Sequence, residues 1–291
     1  MTDQADESRL RWAFSTLGCS DLSFPEICNL AGSFRIAGIE LRGVEGRLDL
    51  PQYCAEQNWT SGRLNDLCHS HKARFVVAGS SAKLVDAQDS DRTELLQFSE
   101  WADYLGIPYV RVFGGGIWGQ PLKESDYDRA IEFVRWWRNE KRKRCWNVDL
   151  LLETHDAFSA SDPCLKLNDK LSEPLSLIWD SHHTWRLGGE SPLHSWERLG
   201  PIIRHVHLKD SIDKPSARHP FTYVLPGHGQ MPMADVTELL RQSRFAGYVS
   251  LEWERLWHPY LETIQEALTQ LQKQPWFDDR SNVRPIQATI Y

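Results

Sequence analysis

The chain has no run of about 18 apolar residues, so no membrane-spanning helix is expected. Its opening, MTDQADESRL, is polar and acidic, the reverse of the basic-then-apolar order of a secretory signal. Residues 1–10 are expected to form a disordered start. The six cysteines, at 19, 28, 54, 68, 145 and 164, include no C-x-x-C pair. That spacing excludes a zinc finger and a disulfide framework, and predicts reduced thiols in a cytoplasmic protein. There is no block of like charge on a chain of net charge −7, so a nucleic-acid surface is not expected. The local run Lys141-Arg142-Lys143-Arg144 reads as the C-terminal end of a helix, where cations meet the negative end of the dipole. Gly114-Gly115-Gly116 lacks the G-x-G-x-x-G spacing of a dinucleotide-binding turn. No glycine-rich phosphate cradle is evident either, which favours an unphosphorylated ligand.

What the chain has in quantity is aromatic side chains, 13 Trp among them, and short apolar runs at regular intervals. Predicted strands fall at Trp12–Cys19, Ala37–Arg42, Ala73–Gly79 and Tyr109–Phe113, then at about 147–153, 176–180, 202–208 and 247–252. Predicted helices lie between and after them. Ser23 and Pro25 open one that runs to about Phe34. Others are expected near 61–71, 91–105, 126–144, 160–170, 191–199, 232–242 and 260–272. Runs such as Leu177-Ile178-Trp179 have no polar alternation, as expected of strands covered on both faces. Eight strand–helix alternations predict an α/β fold, a single (β/α)8 TIM barrel over residues 11–273, with an open doubly wound sheet as the competitor. The tail, 274–291, is too polar to add a layer and is expected on the outside or against a partner subunit.

Four consecutive predicted strands end in metal-capable side chains: Glu153, Asp180, His207 and Glu252. In a barrel these ends line one arc of the C-terminal mouth, where such folds place their chemistry. One strand-end carboxylate is most often a loop hydrogen-bonding group, and one histidine on an apolar strand is most often packed. Recurrence at four neighbouring strand ends, with the Asp180-x-x-His183 spacing, points to a metal. Three carboxylates and an imidazole suit a hard or borderline divalent ion, Mn²⁺ first, with Mg²⁺, Co²⁺, Fe²⁺ or Zn²⁺ as alternatives. Carboxylates brought this close raise one another's pKa unless a cation neutralises them. His182, His205 and Asp210 are further metal-capable residues of the same stretch. The loop from Ser211 to Met233 is long for its place, as loops belonging to a site often are.

The stretches FSTLGC, AGIELRG, LLETH, WDSHHTW, RHVHLKD, LPGHG and GYVSLEWE resemble, in order from residue 12 to about 272, the xylose isomerase-like TIM-barrel superfamily. They are most similar to its sugar isomerase and epimerase branch, the tagatose/psicose 3-epimerase and inosose dehydratase group. The resemblance implies that Glu153, Asp180, His207 and Glu252 hold one divalent ion, that Glu153 and Glu252 are the acid/base pair, and that His183 contacts substrate oxygen. It implies proton abstraction next to the carbonyl of a sugar or related polyol ketone, through a metal-stabilised enediolate. It also makes a homodimer or homotetramer plausible. Arg218, His155 and Trp257 are further candidates for contact with a small carbohydrate, and Trp118 and Trp185 weaker ones, while Glu254 flanks Glu252 and reads as a supporting neighbour. The same site could instead eliminate a β-group, as a dehydratase of inosose-like compounds or a lyase of 3-keto-glycosides. A DNA-repair enzyme of the endonuclease IV type would need further histidines where the second and third strands end in ELRG and VVAGSS.

Overall fold

In the computed structural model, which describes residues 9–277, the apolar runs become strands whose alternate side chains point at one axis. β1 (Arg11–Ser15) leads to α1 (Phe24–Ser33), which begins as expected: Glu26 accepts hydrogen bonds from the backbone and hydroxyl of Ser23, with Pro25 in the first turn. There follow β2 (Gly38–Leu41), α2 (Leu50–Glu56), α3 (Ser61–Ser70), β3 (Arg74–Lys83), α4 (Asp89–Leu105), β4 (Tyr109–Phe113) and α5 (Glu124–Arg144). Next come β5 (Asp149–Glu153), α6 (Ser161–Asp169), β6 (Ser176–Asp180), α7 (Ser181–Arg186), α8 (Pro192–Leu199) and β7 (Ile203–Leu208). The antiparallel hairpin β8 (Asp210–Ile212) and β9 (Thr222–Val224) precedes α9 (Met233–Gln242), β10 (Tyr248–Leu251) and α10 (Ile264–Gln272).

β1 pairs in parallel with both β2 and β10, so the sheet closes in the order β1-β10-β7-β6-β5-β4-β3-β2. This is the (β/α)8 barrel, and the open sheet is excluded. Two apolar cores result. The larger lies between strands and helices and includes Phe14, Trp137, Trp179 and Leu268. The smaller fills the barrel itself with Ala13, Val77, Leu151, Ile178 and Tyr248. Two residues further along β5, β6 and the strand β10, the inward face becomes Glu153, Asp180 and Ser250, and then Glu252. The polar layer therefore sits directly above an apolar plug.

Some elements depart from expectation. β1 stops at Ser15, with Thr16–Cys19 forming a 3-10 turn in place of the expected strand end, β3 continues to Lys83, and α2, α7 and the β8–β9 hairpin were not among the expected elements. Each of the two helices is seven residues or shorter, too short to show a helical period in the sequence. The basic run at 141–144 does end a helix, α5. Of the tail, Trp276 and Phe277 pack on the outside at the start of β1: Trp12 stacks on Phe277 with centroids 4.6 Å apart and donates Nε1–H to its carbonyl at 3.2 Å. The expectations for residues 1–8 and 278–291 lie outside the described residues. No helix among the described residues is long and apolar enough to cross a membrane.

Candidate metal centre and active site

Alternation along each strand decides which side chains face the barrel axis, and at the mouth those side chains are ionisable. Glu153, Asp180, His207 and Glu252 are all buried, and one donor atom from each lies within 4.8 Å of the others. His207 Nδ1 stands 3.3 Å from Glu252 and 3.5 Å from Glu153. The four predicted residues therefore converge. His183 lies beside them: its backbone N–H caps onto Asp180 Oδ1 at 2.9 Å, and its ring nitrogen stands 3.0 Å from Asp180 Oδ2. Burial, then the positive charge of Lys209, hold His183 well below its ordinary pKa, so the ring is neutral at pH 7.

The carboxylates do not simply raise one another, because the protein brings its own cations among them. Lys209, fully inside, meets Glu252 at 2.5 Å and Asp180 and Glu254 at 2.7 Å. Arg111 of β4 donates to Glu153 at 3.0 Å. Burial works against ionisation of Glu153, but Arg111 and His207 hold it below the usual carboxylate range. Burial likewise opposes Glu252, which His207 and Lys209 pull well down. For Asp180 burial prevails over Lys209, and its carboxyl is pushed up to about 7. The expectation that only a bound ion could neutralise the cluster is corrected accordingly. A compact donor set with an inward-facing ring nitrogen nonetheless fits a divalent ion of borderline hardness.

Glu40 of β2 was passed over by sequence reasoning and proves central to the layer below. Its carboxylate accepts from Nε2 of His205 at 3.0 Å and from Nε2 of His207 at 3.0–3.1 Å. Burial opposes its ionisation, and the two rings overcome that and keep Glu40 below its ordinary range. Glu40 thus commits His207 Nε2 to carrying a proton and leaves Nδ1 facing Glu153 and Glu252. Lys209 was missed too. The signal was the period of two in His205, His207 and Lys209, which puts all three on one inward face.

Other candidates sit further out. His182 Nε2 pairs with Ser211 Oγ at 2.8 Å among the rings of Trp185, Phe221 and Tyr223, and His205 serves Glu40. Asp210 is a loop anchor: its two oxygens accept four backbone amides, those of Ser211, Gly227, Gly229 and Met231, at 2.8–3.0 Å. His155 packs its ring against His183 and Phe113, and its Nδ1 stands 2.9 Å from Asp156. Arg218 is exposed on the long loop, with its guanidinium 5.7 Å from the Trp257 ring at the rim. Exposed Trp118 donates to the Leu187 carbonyl, and Glu254 is committed to Lys209.

The family model for the xylose isomerase-like TIM barrel matches residues 36–274, across the whole of this arrangement. The chain belongs to that family. Among curated relatives, an uncharacterized protein of Mycobacterium tuberculosis is 38% identical over 73 residues, 25% of this chain and 24% of that one. The chain thus matches about a quarter of the length of the mycobacterial proteins. The 3-dehydroshikimate dehydratase of Bacillus anthracis is 24% identical over 249 residues, 80% of this chain and 86% of that enzyme. Among solved structures, the probable 3-dehydroshikimate dehydratase AsbF of Bacillus anthracis superposes with a TM-score of 0.72 at 19% identity, covering 91% of this chain and 100% of that one. IolI, whose crystal structure holds a zinc atom, gives 0.71 at 17% identity over 91% and 96%. D-allulose 3-epimerase of Methylomonas gives 0.61 at 16% identity over 84% of each chain. At these identities the superpositions show the shared barrel. The xylose isomerase-like barrel therefore has both epimerases and a dehydratase among its neighbours.

Proposed function

We propose that this chain is a divalent-metal-dependent isomerase or epimerase that removes a proton next to the carbonyl of a sugar or related polyol ketone. The observation that supports this most is the convergence of one donor atom each from Glu153, Asp180, His207 and Glu252 within 4.8 Å at the barrel mouth. These four residues would hold the ion, Mn²⁺ or Zn²⁺ being compatible with the donor set. When bound, the ion supplies Lewis acidity, polarising the substrate carbonyl and offsetting the negative charge that develops on its oxygen.

Around it, the chain's own groups handle protons. Glu153 and Glu252 stand on either side of His207 and are held ionised by Arg111, His207 and Lys209, as a base at neutral pH must be. One removes the proton and the other can return it, which inverts configuration when the two approach from opposite sides. Neutral His183, beside Asp180, is able to hydrogen-bond a substrate hydroxyl. Glu40 holds His207 in position from below. The burial of all four donors keeps the reacting charge in a medium of low dielectric, where these interactions are strong. The chain would act on a small molecule in the cytoplasm, as a dimer or tetramer. The free state of all six cysteines suits a reducing compartment.

Elimination on the same site is the second reading. What favours it is that the relative matched over 80% of this chain is a dehydratase. Both readings begin with the same proton abstraction. The test is to incubate Mn²⁺-loaded protein in D₂O with ketohexoses, an inosose and 3-dehydroshikimate, and to follow proton NMR and product mass. Deuterium entering next to the carbonyl with no other change identifies an epimerase or isomerase, and loss of water identifies a dehydratase. Glu153→Gln and Glu252→Gln should each lower turnover by about 10²–10⁴-fold while leaving the fold intact. Undiminished turnover in metal-stripped protein would sink the mechanism.

A further inference from the structure

We infer that Arg42 and Arg111 form a carboxylate-binding subsite at the barrel mouth, so that the ketone processed there carries an acidic group. The inference rests on the four-residue cluster being the reaction centre. It begins with an accounting of buried charge. Three side-chain cations with fixed charge surround the cluster. Lys209 is matched by Asp180, Glu252 and Glu254, and Arg111 is matched by Glu153. Arg42 is buried too, with 6% of its surface exposed, yet makes no ion pair among the described residues. Its Nη2 donates to Ser81 Oγ at 2.9 Å, and its Nη1 is buried without a partner. Glu94 lies within electrostatic reach, but its carboxylate is engaged by the backbone N–H of Ser81 at 2.6 Å.

The two guanidinium groups are also neighbours. Arg42 follows β2 and Arg111 lies on β4, so they flank β3 from either side, and β3 presents Gly79 between them. A Cβ built on Gly79 would come within 3.0 Å of Arg42 Cδ and 3.6 Å of Arg111 Nη2. Arg111 is held flat by Phe113, whose ring centroid is 4.0 Å from its guanidinium carbon, and by its bond to the Ser80 carbonyl. Burial and then this second positive charge bring Arg42 down to about 10. Two buried like charges, one of them unpaired, are costly until an anion joins them. A planar guanidinium with free N–H groups matches a carboxylate, which takes two parallel hydrogen bonds.

Position makes the anion part of the substrate. Arg42 stands two residues beyond Glu40 on the inward face, toward the mouth, and Arg111 is bonded directly to Glu153. An acid held there belongs to a molecule whose carbonyl reaches the metal-capable donors. A phosphate is the weaker fit: it brings more charge and more acceptor oxygens than one free guanidinium edge and a serine hydroxyl can satisfy.

The subsite is tested by calorimetric binding to the full-length Mn²⁺-loaded protein, with 3-dehydroshikimate, its methyl ester and a ketohexose phosphate as probes. The free acid should bind about ten- to a hundredfold more tightly than the ester. Arg42→Met should erase that preference while ester binding stays within about twofold. Arg42→Lys, which keeps the charge without the fork, should retain part of it. Melting curves and Mn²⁺ titrations establish that both variants are folded. Equal binding of acid and ester, no binding of either, a preference that survives Arg42→Met, or tighter binding of the phosphate would overturn the subsite. Because the readout is binding, an acid preference without deuterium exchange or water loss would count against the proposed reaction alone.

Discussion

At the scale of single residues, the proposed chemistry depends on which nitrogen of His207 faces the carboxylates. Glu40 settles that by accepting the Nε2–H in a charge-assisted hydrogen bond. Without a cation, Glu252 and Glu40 overcome burial and raise His207 well above its ordinary pKa, so Nδ1 is protonated as well. A divalent ion held by His207 would take the place of the Nδ1 proton. Glu40→Gln can present either an amide donor or an acceptor to the ring and removes the negative charge behind it. The expected result is about ten- to a hundredfold weaker Mn²⁺ binding. It should be accompanied by a shift of the His207 ¹⁵N resonances toward a mixed tautomer, which a merely structural role would not produce. Glu40→Asp should leave the tautomer unchanged. The metal-capable residues at 153, 180, 207 and 252 were legible in the sequence because each ends a strand. Glu40 was not, since its partner His205 is 165 residues away.

At the scale of elements, the long connection after β7 is organised by one carboxylate. Asp210 gathers four backbone amides from β8 and the Leu225–Met231 turn, drawing the hairpin over the mouth. Burial raises its pKa, and the four amides pull against that rise. Gly229 is obligatory in this turn, because a Cβ there would fall 2.2 Å from Asp210 Oδ1. Asp210→Asn replaces an acceptor oxygen by a donor and should cost about 1.5–3 kcal/mol by chemical denaturation. Faster amide exchange at Gly227, Gly229 and Met231 should accompany it. Sequence reading placed Asp210 among metal-capable residues because composition alone does not distinguish a ligand from an anchor. The hairpin was likewise invisible: its strands are three residues each, below the length at which alternation can be counted.

At the scale of the whole molecule, the donors come from β5, β6, β7 and the end of β10, and a bound ion would tie these segments together only when the barrel is closed. Metal should therefore stabilise the native chain by mass action, by about 2.7 kcal/mol at a hundredfold excess over Kd. A melting curve with Mn²⁺ should rise by several degrees, and a chelator should reverse it. Glu252→Gln should show little of the shift, whereas Arg218→Ala, at the exposed rim, should show all of it.

The eight-unit alternation, the closed barrel and the four strand-end donors could be derived from the sequence by itself. Those features are local: an apolar run, a cap or a terminal carboxylate is written in consecutive residues and repeated. The tertiary structure alone decided which charges meet. Closure sets β2 three strands from β7, with β1 and β10 between them, so Glu40 reaches His205 and His207 across the barrel interior. It also sets Lys209 among three carboxylates and leaves Arg42 with none. Electrostatic partners across a barrel depend on strand order, register and inward alternation together, and no stretch of sequence contains all three.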